Sequence, residues 1–435
     1  MYAPGLILDA SRFRPHPSTR ESTLARAPTK RTGYNAHMRP LLALLLLALL
    51  PALTNAADKP VEFEIKNELT FDRGMTLVSH ALTLSGKARL LGQDGKDIAC
   101  AYDTKAKKLR FLDTFKAGET KKYQVLNEAP KAALPKWMTK TIKDEFEAKL
   151  GKETVKCQGG QVENGLLRVK VFRNDELRAE VEITTLKGSY KFRCNPLGNA
   201  VGCIDDAKYA SELQELVNKG GGAHPQLMNI YMGVPTKVEF TEPNAFQRTI
   251  KVACKPFAVK ANKETPEIVS EAGMEITLTW GSAIVEIKSH RKVAKTYYNH
   301  NGVFLNEFYL HQLPVEVFTD GEIEAKKLSA EIIAGGAADT KCKKFMLLKS
   351  GDGKQATLIS VPDFEKLGIE GPKFSAFKDR MMTVISQSWH QGWKPIEIKA
   401  QDYDDRMLIV ADIAATLTEA KKYGDWAAEI EKPVA

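Results

Sequence analysis

The sequence lacks the signatures that name a reaction outright. It has no Cys-x-x-Cys pair and no HExxH, so neither a zinc ribbon nor a zincin is indicated. It has no GxSxG elbow, no Walker loop and no glycine-rich dinucleotide loop. No two carboxylates stand out as the acid and base of a glycoside hydrolase. The KETVK and KVAKT stretches carry no interleaved aromatics, so they read as solvated faces and not as a nucleic-acid track. The formal charge of +9 is also misleading, because seven basic and two acidic residues fall in the first 56 positions. What remains carries only +4, which is poor material for a dedicated nucleic-acid binder. No internal repeat of fixed period and no low-complexity tract interrupts that remainder.

Long apolar runs are scarce too. The one that stands out, Leu41–Leu50, follows Met38-Arg39 and precedes Thr54-Asn55-Ala56. A short basic start, an apolar stretch and small residues at a cleavage site describe a secretory signal over 38–56. The run is too short to span a bilayer comfortably, and no later segment is apolar enough to cross one. Residues 1–37, rich in Arg, Ser, Thr and Pro, read as an over-extended or disordered start. The expected product is an exported chain beginning near Ala57, periplasmic or extracellular. All six cysteines lie beyond that point, and an even count in an oxidising compartment suggests disulfides. Cys194 and Cys203 flank NPLGNAVG, a turn-rich segment, and form the best-placed pair.

From Val61 onward the dominant signal is a period of two. VEFEI, TLVSHALTL, KARLL, KKLRFL and KKYQV are separated by Arg73-Gly74, Asp94-Gly95 and Ala117-Gly118, the pattern of a small antiparallel β domain over 57–130. Pro135, the four-spaced Met138, Ile142, Phe146 and Leu150, and Gly151 then predict a helix. Beyond it Leu167, Val169 and Val171 alternate with Arg168 and Lys170, Asn174-Asp175 turns the chain, and Val181 and Ile183 return. Lys208–Lys219 reads as a second helix, before Gly220-Gly221-Gly222. Met274, Ile276 and Leu278 line one face of a strand, Gly281-Ser282 turns it, and Val285 and Ile287 face inward opposite outward Glu286, Lys288 and His290. Strands continue to Met407–Asp412, and Leu417–Ile430 reads as a terminal amphipathic helix. The fold class is mainly β. A large antiparallel sandwich over 131–435 follows the small β domain, with a few peripheral helices.

VENGLLRVKV resembles the opening strand of the galactose-mutarotase-like supersandwich found in many carbohydrate-active enzymes. FTEPNAFQRTIKVAC and MEITLTWGSAIVEIKSH resemble its later strands. LLGQDGKDIACAYD and LRFLDTFKAGETKKYQV are similar to the small β domain before that sandwich in exo-rhamnogalacturonan lyase-like proteins. The resemblance covers about half of the chain after residue 56. It implies a supersandwich and β-elimination on acidic glycans. It carries over no catalytic residue, and the large helical domain common in that family finds no room here.

Two polar clusters suit a saccharide. The first spans 290–311, where His300 and Tyr298 are candidate acid–base groups and Arg291 a candidate charge stabiliser, with Asn299, Asn301 and His311 as substrate contacts. The plainer reading is a polar rim on a sheet. The second is SWHQGWKP, where Trp389 and Trp393 offer flat apolar faces and His390 a polar neighbour. The plainer reading there is a packed edge. Asp402, Asp404 and Asp405 have carboxylates for Ca²⁺ but lack an EF-hand's glycine and distant glutamate, so a solvated loop is expected and no metal or other cofactor. The expected partner is a polysaccharide or oligosaccharide, bound by an enzyme or by a non-catalytic envelope protein.

Overall fold

A computed structural model describes residues 59–150, 153–174, 178–197, 203–204, 231–258, 269–299, 304–309, 315–319, 326–328, 340–341, 345–349, 355–360, 373–377, 382–386 and 396–411. They belong to one compact unit, Ala57–Ala435. The expected signal segment, the helices at 208–219 and 417–430, and the first 37 residues lie outside the described residues.

Two small sheets open the unit. One joins β1 (Val61–Lys66), β7 (Thr120–Leu126), β3 (Arg89–Leu91) and β4 (Asp97–Ile98), and the other joins β2 (Arg73–Ala81), β6 (Lys108–Phe115) and β5 (Cys100–Asp103). They close on a core of their own, with Ile65, Val78, Leu90, Leu109, Phe111 and Val125 among its buried residues. Gly95 and Gly118 sit at positive φ, as turn residues should. Gly74 does not turn the chain; it lies within β2, where the register slips between Arg73 and Thr76.

The main body is a sandwich of two nine-stranded antiparallel sheets. The first runs β22 (Thr340–Lys341), β25 (Lys373–Phe377), β26 (Met382–Ser386), β19 (Phe304–Tyr309), β12 (Lys191–Asn195), β11 (Ala179–Thr185), β10 (Leu167–Arg173), β9 (Glu153–Glu163), β8 (Met138–Leu150). The second runs β14 (Tyr231–Asn244), β15 (Gln247–Ala258), β16 (Val269–Thr279), β17 (Ile284–Val293), β28 (Asp402–Val410), β24 (Ala356–Ser360), β23 (Phe345–Lys349), β20 (Val315–Thr319), β21 (Lys326–Leu328). A further three-stranded sheet holds β13 (Cys203–Ile204), β18 (Tyr297–Asn299) and β27 (Ile396–Ile398). The alternating residues read from the sequence face each other across the sandwich. Val169, Val171, Val181 and Ile183 from one sheet meet Ile250, Ile276, Leu278, Val285, Ile287 and Ile409 from the other, all at or near zero exposure. Burial of apolar area at this scale is the main stabilising contribution to the fold.

Asn164, fully buried between β9 and β10, ties the sheets together. Its Nδ2 donates to the carbonyl oxygens of Thr279 and Ser282 at 2.8 Å each, and its Oδ1 accepts from the N–H groups of Leu166 and Leu167 at 3.0 and 2.7 Å. Gly165 beside it holds φ +85°, and a Cβ there would stand 2.9 Å from the ring of Trp280. Only glycine satisfies both conditions.

Two further expectations are corrected. Residues 138–150 form strand β8, not a helix, and pair with β9 from Met138↔Glu163 to Leu150↔Glu153. A spacing of four is also a multiple of two, so Met138, Ile142, Phe146 and Leu150 fit one face of a strand as well as one stripe of a helix. Pairing with β9 decided the outcome, and Met138 remains exposed. The Cys194–Cys203 bridge is absent as well: Cys194 is a free thiol with no solvent exposure, packed in the sandwich core. Its strand belongs to a nine-stranded sheet, whereas Cys203 starts a strand of the separate three-stranded sheet. Burial pushes the Cys194 thiol well above its ordinary range, as expected for a small apolar core residue.

Candidate functional site

The outer face of the second large sheet is covered at one end and open at the other. Leu69 and Phe71, from the loop between β1 and β2, pack with Ile284, Phe345, Leu347, Leu358 and Val410. Asn67 pins that loop by donating from Nδ2 to the carbonyl oxygens of Phe71 and Lys116, at 3.0 and 2.8 Å. Towards the other end of β17 and β28 the same face is polar and carries an open cavity of about 750 Å³. That volume is within the range of small-ligand sites.

The register explains its shape. One row of outward residues crosses five strands as Lys237, Ala253, Gly273, His290 and Asp404. The adjacent row reads Glu239, Lys251, Glu275, Lys288 and Arg406. Long side chains therefore flank a row whose middle is a methyl group and bare backbone, and the result is a trough. Gly273 also meets a steric demand, since a Cβ there would lie 2.9 Å from the carbonyl oxygen of Val252.

Charge along the trough is internally matched. Lys237 pairs with Glu239 at 2.5 Å, Lys251 with Glu275 at 2.6 Å, and Lys292 with Glu271 at 3.3 Å. Glu286 accepts from Arg406 at 2.5 Å and lies 3.7 Å from Lys288. The Lys237 ammonium holds the Glu239 carboxyl below its ordinary value, and Glu275 raises Lys251. At one end His290 Nδ1 meets Asp404 Oδ1 at 2.7 Å, on neighbouring strands β17 and β28. Such a contact orients an imidazole ring and leaves Nε2 outside the pair, the arrangement a general base or a ligand-binding donor requires.

The residues expected to carry chemistry fare unevenly. Arg291 follows His290 and so points to the other face of β17. Its Nη2 donates to the carbonyl oxygens of Pro196 (3.3 Å) and Leu197, bracing the segment after β12. Tyr298 and Asn299 lie on β18, opposite Ile204 and Cys203 on one side and Glu397 and Ile396 on the other. His300, Asn301, His311, Trp389, His390 and Trp393 lie outside the described residues. Asp402, Asp404 and Asp405 are on strand β28, not in a loop. Asp404 faces the trough while Asp405 is buried on the opposite side, so alternation keeps these two carboxylates from converging on one cation. The described residues contain no cluster of metal-ligating side chains.

In the sequence His290 falls on the outward face and opens the 290–311 polar cluster, but nothing there gives it a role of its own. Asp404, its partner 114 residues away, stands out in the sequence only as a carboxylate suited to a cation. Strand alternation could have placed both outward, but nothing local announces that β17 and β28 are neighbours.

No family profile and no curated protein matches the chain. Among solved structures, an α-mannosidase from Enterococcus faecalis V583 is similar at 9% identity and a TM-score of 0.46, over 86% of this chain and 45% of that one. The chain thus spans less than half the length of that mannosidase. A galactose mutarotase-like protein from Lactobacillus casei ATCC 334 is similar at 7% identity and a TM-score of 0.32, over 58% of this chain and 98% of that one. Another from Clostridium acetobutylicum has the same identity and TM-score, over 61% of this chain and 98% of its own.

Proposed function

We propose that the protein is an exported carbohydrate-binding β-sandwich whose saccharide lies in the trough, anchored at His290 and Asp404. The observation that carries this reading is the row Lys237–Ala253–Gly273–His290–Asp404, low in the middle at Ala253 and Gly273, with Lys237 at one end and a polar pair at the other. A sugar ring presents an apolar C–H face and a rim of hydroxyls, which are both donors and acceptors. The floor suits the first and the paired charges suit the second. β-Elimination on a uronate asks in addition for a cation to stabilise the charge that develops beside the carboxylate. Lys237, Lys251, Lys288 and Arg406 are each within 4 Å of a carboxylate, so binding is better supported than lyase chemistry. The orientation of His290 by Asp404 favours one catalytic reading, in which His290 acts as a base on a bound sugar.

The test is a glycan array with the purified protein and with Ala253→Ile, which fills the floor with a residue at ease in a strand. Expected is a saccharide that the parent binds and the variant does not, with thermal midpoints within about 2 °C of each other, as for an exposed substitution. Absence of any glycan ligand, or equal binding by the variant, refutes the reading. Export itself is tested by N-terminal sequencing of the secreted product, expected to start near Ala57; recovery of residues 1–37 would overturn it.

A further inference from the structure

We infer that the trough selects neutral linear oligosaccharides of about four units, laid across the strands, and discriminates against uronates. This rests on the carbohydrate reading above and adds ligand charge and length to it.

The length follows from the sheet. The floor row crosses from β14 to β28, four inter-strand steps of about 4.8 Å, or roughly 19 Å, the reach of about four linked pyranose rings. The row is uninterrupted in register from Lys237 to Asp404, so the floor does not step where one strand gives way to the next. A ligand running along a strand would instead climb over the flanking row at Glu275 and Lys288. Crosswise, a ligand lies over Ala253 and Gly273 and meets Lys237 at one end and His290 with Asp404 at the other, the groups that would hold it.

The charge preference follows from the pairing. Glu239 and Glu275 occupy the cations that a uronate carboxylate would use, at 2.5 and 2.6 Å. A polyanion must displace these carboxylates or lie beside them, and either costs free energy. A neutral hydroxyl can donate to the glutamate and accept from the lysine of the same pair without separating them. Paired charges of this kind act as a negative filter as well as a polar surface.

The experiment measures binding of fluorescently labelled manno-, xylo- and cello-oligosaccharides of two to six units, beside oligogalacturonides of the same lengths. The proteins are the parent and a Glu239→Gln, Glu275→Gln double variant, both exposed positions. For the parent, affinity is expected to rise with length, to level off at four units, and to be at least tenfold weaker for the uronates. Uncovering Lys237 and Lys251 should improve uronate affinity by about tenfold at low salt, with the gain shrinking as salt screens it, so that the preference for neutral ligands narrows. Parent binding that prefers uronates would overturn the charge inference yet leave the carbohydrate reading standing. Affinity already level at two units, or still rising from five to six, would overturn the length inference alone. Failure of every glycan would remove the underlying reading itself.

Discussion

Replacing Asn164 by alanine should be among the most damaging single changes to this fold outside its apolar core. The side chain makes four hydrogen bonds in a fully buried position, two as donor and two as acceptor. At about 1 kcal/mol net for each, the direct loss is about 4 kcal/mol, and backbone groups left without partners add to it. Whole domains are stable by only about 5–15 kcal/mol, so the variant should sit near the edge of folding. Asn164→Asp keeps the shape but turns an acceptor towards two carbonyl oxygens and buries a charge, so it should be at least as harmful. The assay is urea unfolding followed by tryptophan fluorescence. Trp280 and Trp137 lie 5.3 Å apart next to this junction and should report its loss. With a slope of about 3 kcal/mol/M, the midpoint should fall by more than 1 M. A fall of under about 0.3 M at unchanged slope would mean that Asn164 does not tie the two sheets, and the reasoning would be wrong.

Three further outcomes follow from other buried positions. Gly165→Ala places a Cβ against Trp280 at positive φ and should cost about 2–3 kcal/mol by the same unfolding assay, whereas a loss under 0.5 would contradict the close approach. Burial raises the thiols of Cys100, Cys194 and Cys254 in the folded state, while unfolded thiols titrate near about pH 8.5. The unfolded chain therefore loses protons first as pH rises. Their contribution is complete below about pH 8 and declines above it. Unfolding midpoints measured from pH 7 to 10 should fall at the alkaline end, and Cys254→Ala should flatten part of that fall. Thiol reagents should label Cys194 only on unfolding; rapid native labelling would show that the core is not closed around it.

Local chemistry determined much of this protein. Alternation at Leu167–Val171, at Met274–Leu278 and at Val285–Ile287 specified strands and their inner faces, because a period of two leaves no choice of face once one side must be buried. Asp94-Gly95 and Gly281-Ser282 marked turns for an equally local reason, the positive φ that glycine adopts without strain. At 138–150 the pattern was compatible with two periods, and only the partner strand β9 resolved it. The same holds for Cys194, whose sequence neighbour in a turn-rich segment was less decisive than the sheet that buries it. The trough belongs wholly to tertiary structure. Lys237, Ala253, Gly273, His290 and Asp404 span 168 positions, counted inclusively, and become one row only through the register of five strands. Strand order and register are long-range properties, set when many weak pairings and one shared core are satisfied together, so no window of sequence contains them.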